Sequence, residues 1–181
     1  MRTIFLILFF FLIFLKKQAF TEPKIIKRIS ETENFAFDFK QLINDKKETG
    51  NCIISFNNKM LCKYDETGKL IVSNGKTLLI KNKNSNFANT YKTENTYFKY
   101  FLNKDFLISK IEGNVIEKEQ NFHLSINDQS NQLDIFFDKN NHLIKGWETI
   151  DLYGNKVRTN IVVKNINQEL SDSIFNLNLY N

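Results

Sequence analysis

The chain opens on an apolar run that has no period. From Thr3 to Leu15 it reads TIFLILFFFLIFL, preceded by Met1-Arg2 and followed by Lys16-Lys17-Gln18-Ala19. A helix that spans a bilayer needs about 20 apolar residues, and this run is shorter. One cation before a short apolar stretch is the layout of a secretory leader. Cleavage is expected near Ala19, although the small residue normally found two positions earlier is Lys17 here. The alternative is an uncleaved anchor in the inner membrane. The expected organisation is therefore a leader over 1–19 and a single domain over 20–181.

Beyond the leader the texture changes twice. Pro23 to about Asp45 reads as a helix, with Ile25, Ile26, Ile29, Leu42 and Ile43 at helical spacing and Pro23 in a first turn. Within it, Phe35, Phe37 and Phe39 alternate and are compatible with a strand. A break is expected at Lys46–Gly50. From Asn51 the pattern is β. Ser73-Asn74-Gly75-Lys76 lies between KLIV and TLLI, a strong short hairpin signal in which both central residues should take positive φ. Asp65–Gly68 is a second turn. Later strands are expected at 114–117, 121–127, 132–138, 142–150, 155–164 and 173–179, with turns at 138–141 and 153–155. Lys81 to Thr93 reads as a polar connection. Glu94 to Leu107 is a helical interruption in which Tyr97, Phe98, Phe101, Leu102 and Phe106 form an apolar stripe. The expected architecture is α+β: a long antiparallel sheet, open or curled, with two amphipathic helices over its concave face.

Composition sharpens this picture. The 181 residues carry 25 Lys+Arg against 20 Asp+Glu, a net charge of +5 that at first suggests a polyanion partner. Removing the leader takes away Arg2, Lys16 and Lys17 and brings the net charge to +2. The remaining Lys residues are scattered and Arg is scarce, so nucleic acid is not an expected partner. Five of the 18 Phe lie in the leader and 13 remain. Export also changes the reading of the two cysteines, because an even count outside the cytosol favours a disulfide. Cys52 and Cys62 lie an even number of residues apart in two short β runs, so they could face each other across a hairpin. Two buried thiols are the alternative.

Catalytic constellations are missing. His123 and His142 have no flanking motif, and His142 reads as a solvated turn residue. Asp134, Asp138 and Asp151 read as solvated or turn-capping carboxylates. Asn74-Gly75-Lys76-Thr77 ends like a phosphate-binding loop but lacks its first glycine. No enzyme activity, cofactor or metal is expected. What remains is apolar surface: the 94–107 stripe, the Phe35/Phe37/Phe39 group, Leu133, Ile135, Phe137 and Trp147.

Several segments, taken in order over about 24–180, resemble the outer-membrane lipoprotein carrier protein family, LolA. Leu70–Ile80 (LIVSNGKTLLI) resembles its strand–Asn/Asp-Gly-Lys–strand hairpin. Phe37–Gln41 resembles its helix-end pattern, Lys59–Tyr64 its second strand, Trp147–Val163 its Asp-x-x-Gly-Asn turn and following strand, and Phe175-x-Leu177 its closing strand. The resemblance implies an incomplete, half-open antiparallel β-barrel whose concave face is covered by short α-helices. It also implies a periplasmic, monomeric shuttle. Lipoprotein acyl chains would be taken from an inner-membrane ABC transporter and handed to an outer-membrane acceptor or to the membrane itself. Cavity-lining residues are then expected at Phe37, Phe39, Met60, Tyr64, Phe98, Phe101, Leu102, Ile135, Phe137 and Trp147. The family often carries Arg-Pro in the turn after its first strand, with the Arg bonding to the lid. Phe56-Asn57 stands there in this chain, so that latch is not expected. A Cys52–Cys62 disulfide would be an idiosyncratic brace at positions where the family carries an aliphatic residue and Trp. With no lipid-attachment Cys after the apolar run, the anchored acceptor that shares this fold is a poorer match. The alternative to a carrier is a periplasmic lipid- or protein-sensing regulatory domain on the same half-barrel.

Overall fold

The computed structural model describes residues 21–56, 58–128, 131–151 and 154–180; the leader expected over 1–19 lies outside them. Eleven strands form one sheet: β1 Asn34–Ile43, β2 Lys46–Ser55, β3 Lys59–Tyr64, β4 Leu70–Asn74, β5 Thr77–Lys81, β6 Ala88–Lys92, β7 Val115–Glu117, β8 Phe122–Asp128, β9 Asn131–Phe137, β10 Ile144–Ile150 and β11 Lys156–Ile166. The helices are α1 over 21–30, α2 Phe98–Leu102 and α3 Lys104–Ile111.

The strand order is β6-β5-β4-β3-β2-β1-β11-β10-β9-β8-β7, and the strand pairs are antiparallel. The chain first meanders outward from β1 to the edge strand β6. It must then reach the opposite edge, β7, before it meanders back to β11 beside β1. The two edges do not pair, so the barrel is half-open. The segment that crosses from one edge to the other carries α2 and α3. Topology and an apolar face together therefore place these helices over the concave side of the sheet.

Strand alternation explains that concave side. In β1 the buried residues are Phe35, Phe37, Phe39 and Gln41, while their neighbours face outward. The expected helix over 23–45 is thus corrected. It ends at Ser30, and the alternating phenylalanines belong to a strand, because period 2 puts all three on one covered face. The break also moves earlier. Ile43 pairs with Lys46 across a two-residue turn, and Asn44 takes φ 51 there. Gly50 is required opposite Phe39, since a Cβ would lie 2.7 Å from that ring and 2.1 Å from the Lys63 carbonyl oxygen.

Four further expectations are revised. The Asn74-Gly75 hairpin is present, but of these two only Gly75 takes positive φ (100°). Asn74 instead uses its side-chain oxygen to accept from the Lys76 and Thr77 amides at 3.0 and 2.9 Å, an Asx-type turn. The 81–93 connection contains the edge strand β6. The 94–107 helix is two helices, broken at Asn103, whose extended backbone (φ −92, ψ 107) lets its side chain cap α3 through the Phe106 amide. Finally, 173–179 is not a strand but two 3₁₀ turns, Asp172–Phe175 and Leu177–Leu179. This tail covers the convex side, where Phe175 packs with Leu61 and Val72 in a small second core. No helix of the described residues is long and apolar enough to cross a membrane.

Candidate functional site

The space between sheet and helices is filled by one continuous apolar cluster. The sheet contributes Phe35, Phe37, Phe39, Ile54, Met60, Leu124, Leu133, Ile135, Phe137 and Trp147. The helices contribute Ile25, Ile29, Phe98, Tyr100, Phe101, Leu102, Leu107 and Ile111. All ten residues expected to line the cavity are buried in this cluster. Phe39, Met60, Tyr64, Phe98 and Trp147 also border a residual cavity of about 20 Å³. Phe37, Phe101, Leu102, Ile135 and Phe137 pack without touching it. Trp147 is the hinge of the packing: its ring meets Phe101 of α2 at 4.6 Å and Phe37 of β1 edge-on at 6.1 Å.

A cavity of this size has room for about one water. A chain-like ligand therefore needs part of the helical cover to move, and α2 and α3 are the shortest α-helices of it. These helices have 5 and 8 residues, below the ~12–15 at which an isolated helix is even marginal, so their stability comes from docking. Polar ties add to it. Lys104 at the start of α3 reaches Glu33 Oε1 at 2.7 Å and the Ser30 carbonyl at 3.2 Å, with its Nζ 5.7 Å from the Phe56 ring centroid. Glu33 is largely exposed, so this pair is weak. The Thr93 amide donates to the Lys76 carbonyl at 2.9 Å, and Gly113 N–H to Glu22 Oε2 at 3.0 Å.

The cavity wall is not purely apolar. Cys52 and Cys62 are directly opposed in register and form a disulfide on the cavity side. Gln41, Thr159 and Tyr64 form a buried hydrogen-bonded chain: Tyr64 OH donates to Gln41 Oε1 at 3.2 Å, and Gln41 Nε2 to Thr159 Oγ1 at 3.1 Å. Burial, aided by Tyr97 and Glu48, pushes the Tyr64 phenol far above its ordinary pKa against the opposing bond from Gln41. Sequence reasoning missed Gln41 and Thr159. The signal was available, because Gln41 continues the 35-37-39 alternation onto the same face. Toward the rim, Glu48 is buried between Lys69 at 2.8 Å and Lys46 at 3.3 Å. Burial alone would raise its pKa, but the two ammonium groups hold it below the ordinary value.

The histidines and aspartates singled out in the sequence lie apart from this space. Asp134 is neither solvated nor turn-capping: it accepts from His123 Nε2 at 2.9 Å, from Ser125 Oγ, and from Gln132 Nε2 at 3.1 Å. Ser125 and Asp134 both meet the same nitrogen of His123, so no proton relay runs through the imidazole. Asp138 caps the 138–141 turn, and Asp151 accepts from the Asn155 amide. His142 is half-buried rather than solvated. It takes φ 60 and stacks on Phe122 at 5.9 Å. Burial lowers its pKa, and Lys24 and Arg28 of α1 lower it further against Asp138.

An open antiparallel sheet, a helix pair carried across its concave face and an apolar space between them agree with one family. The model of the outer membrane lipoprotein carrier protein LolA matches residues 30–178. The chain belongs to the LolA family. Solved structures with the same fold include a putative outer membrane lipoprotein-sorting protein domain from Vibrio parahaemolyticus (9% identity, TM-score 0.50, covering 87% of this chain and 97% of that one). A LolA superfamily protein from Nitrosomonas europaea (10%, 0.44, 86% and 97%) and the lipoprotein LppX of Mycobacterium tuberculosis (10%, 0.44, 82% and 94%) are also similar. Among curated proteins no match was found. A charged tie between α3 and the segment before β1 runs from Lys104 to Glu33.

Proposed function

We propose that this protein is a monomeric periplasmic carrier that shields the acyl chains of lipoproteins between its sheet and its helices. It would receive them from an inner-membrane ABC transporter and release them at an outer-membrane acceptor or at the membrane. One observation carries the reading: two of the helices that cover the apolar space, α2 and α3, are too short to persist alone and are docked through apolar faces that a ligand would replace. Each methylene moved out of water is worth about 0.8 kcal/mol, so acyl chains need such a cover during transit. Release needs the opposite, a cover that opens at small cost. Exchanging helix–sheet contact for chain–sheet contact satisfies both.

The test uses the chain over 20–181 with an environment-sensitive hydrophobic fluorophore. Triacylated lipoprotein is expected to displace the fluorophore with 1:1 stoichiometry, and the non-acylated form of the same lipoprotein is not. If the two forms behave alike, or neither displaces it, the carrier reading fails. Separately, mass spectrometry of the full-length gene product isolated from its native cells identifies its N-terminus. A start near Phe20 is expected, and a retained apolar leader would favour the regulatory alternative.

A further inference from the structure

The polar groups at the cavity are not scattered. Gln41 pairs with Thr159 across β1 and β11, and Trp147 pairs with Thr159 across β10 and β11. The three side chains therefore form one row across three adjacent strands, and all three border the same small cavity. Gln41 is 7% exposed, Thr159 2% and Trp147 6%. Among the described residues, Trp147 Nε1 is buried without a hydrogen-bond partner. Tyr97 is a polar neighbour: Trp147 tempers the upward pull of burial on the Tyr97 phenol, yet by distance and angle no hydrogen bond to the indole N–H is formed. An unpaired buried N–H is costly, and a phenylalanine would keep ring contacts of this kind without that cost.

We propose that this row is a hydrogen-bonding subsite for the ester carbonyl of a glycerol-linked acyl chain, with Trp147 Nε1 as the donor and the free amide hydrogen of Gln41 beside it. The inference rests on the acyl-binding reading above. The donor set selects the ligand class. An indole N–H donates only, so the ligand must bring an acceptor. The residues bordering the cavity include no charged side chain, which disfavours a carboxylate or phosphate at this depth. An amide would bring an N–H of its own that needs an acceptor at this depth, where Gln41 Oε1 already receives Tyr64 OH and has one lone pair left. An ester carbonyl brings an acceptor and no donor, with hydrocarbon on the acyl side to fill the space vacated by the helices. The row would fix how deep the chain inserts, because it sits on the sheet and stays in place when the helices move.

The experiment compares two neutral probes of equal chain length in displacing a bound fluorophore: a 1,2-diacylglycerol and the matching 1,2-dialkylglycerol ether. The wild-type chain is expected to prefer the diester by about tenfold, the effect of one well-made buried hydrogen bond. In Trp147→Phe the preference should fall toward unity, with affinity for the diether retained. Equal displacement by the two probes in the wild type overturns the subsite while leaving acyl binding intact, and this comparison needs no variant to fold. A preference that survives Trp147→Phe also overturns it. Failure of both probes to displace overturns the acyl-binding reading, and the subsite falls with it.

Discussion

Phe101→Ala tests whether the helices over the concave face behave as a lid or as ordinary core. Phe101 is 1% exposed and its ring lies 4.6 Å from that of Trp147. A buried phenylalanine covers about 150–250 Å², and at ~25 cal/mol per Å² its apolar burial is worth roughly 4–6 kcal/mol. Measured Phe→Ala losses in packed cores run at about 3–5 kcal/mol. In an ordinary core the whole of that loss would appear in global unfolding. In a lid that opens by itself, the loss in global stability cannot exceed the lid's own docking free energy, and the rest appears as local opening. The assay pairs urea denaturation with amide hydrogen exchange. Phe101→Ala should accelerate exchange over 98–111 by at least about a hundredfold, with the β1 and β11 amides changing far less. Phe37→Ala, on the sheet beside Trp147, is the reference and should lower global stability by the full ~3–5 kcal/mol. If the two variants lose the same global stability, and exchange over 98–111 rises no more than in the sheet, the helices are core and the lid argument is wrong.

Two further perturbations have clear directions. Replacing both cysteines by alanine removes a link over a sequence separation of 10; the chain-entropy model puts the loss at about 2–3 kcal/mol, read as a lower urea midpoint with unchanged fold. No loss, or complete unfolding, would contradict a simple brace between β2 and β3. His142 has a folded-state pKa below its ordinary 6.5, set by burial and by Lys24 and Arg28. Its contribution to stability is therefore fully present above about 6.5 and lost as pH falls through the lower folded value. His142→Asn, which tolerates the positive φ, should flatten the stability profile just below pH 6.5 and leave the carboxylate-driven loss at lower pH in place. A wild-type profile without slope just below pH 6.5 would remove His142 from the account.

Much of the fold was legible because period-2 burial writes itself into the sequence. The strands around Leu70–Ile80 and most of those from 114 to 166 follow the alternation of apolar residues and the Asn/Asp/Gly turns between them. The failures have physical causes. Ile25, Ile26 and Ile29 at one end and Leu42 and Ile43 at the other each have helical spacing, but the sheet needs β1 as the partner of both β2 and β11, and tertiary pairing overrides the local pattern over 34–43. β6 was hidden because only one side of an edge strand is paired and its residues are mostly exposed, leaving no apolar rhythm. The tail after Ser171 carries Ile174, Phe175 and Leu177 at spacings that suit a strand, but it packs across the convex face instead of joining the sheet edge. At the site, apolar composition pointed to the buried cluster, while Gln41, Thr159 and the unpartnered Trp147 Nε1 became meaningful only once register placed them in one row.

Trp147 is the only tryptophan in the chain and borders the cavity, so its fluorescence reports directly on what enters. The decisive measurement titrates the protein with lipid carrying bromine atoms along the acyl chains, with the unbrominated lipid as control. The account predicts saturable quenching of Trp147 by the brominated chains, reversed by triacylated lipoprotein. Lipid binding with Trp147 unquenched would place the chains elsewhere and contradict it.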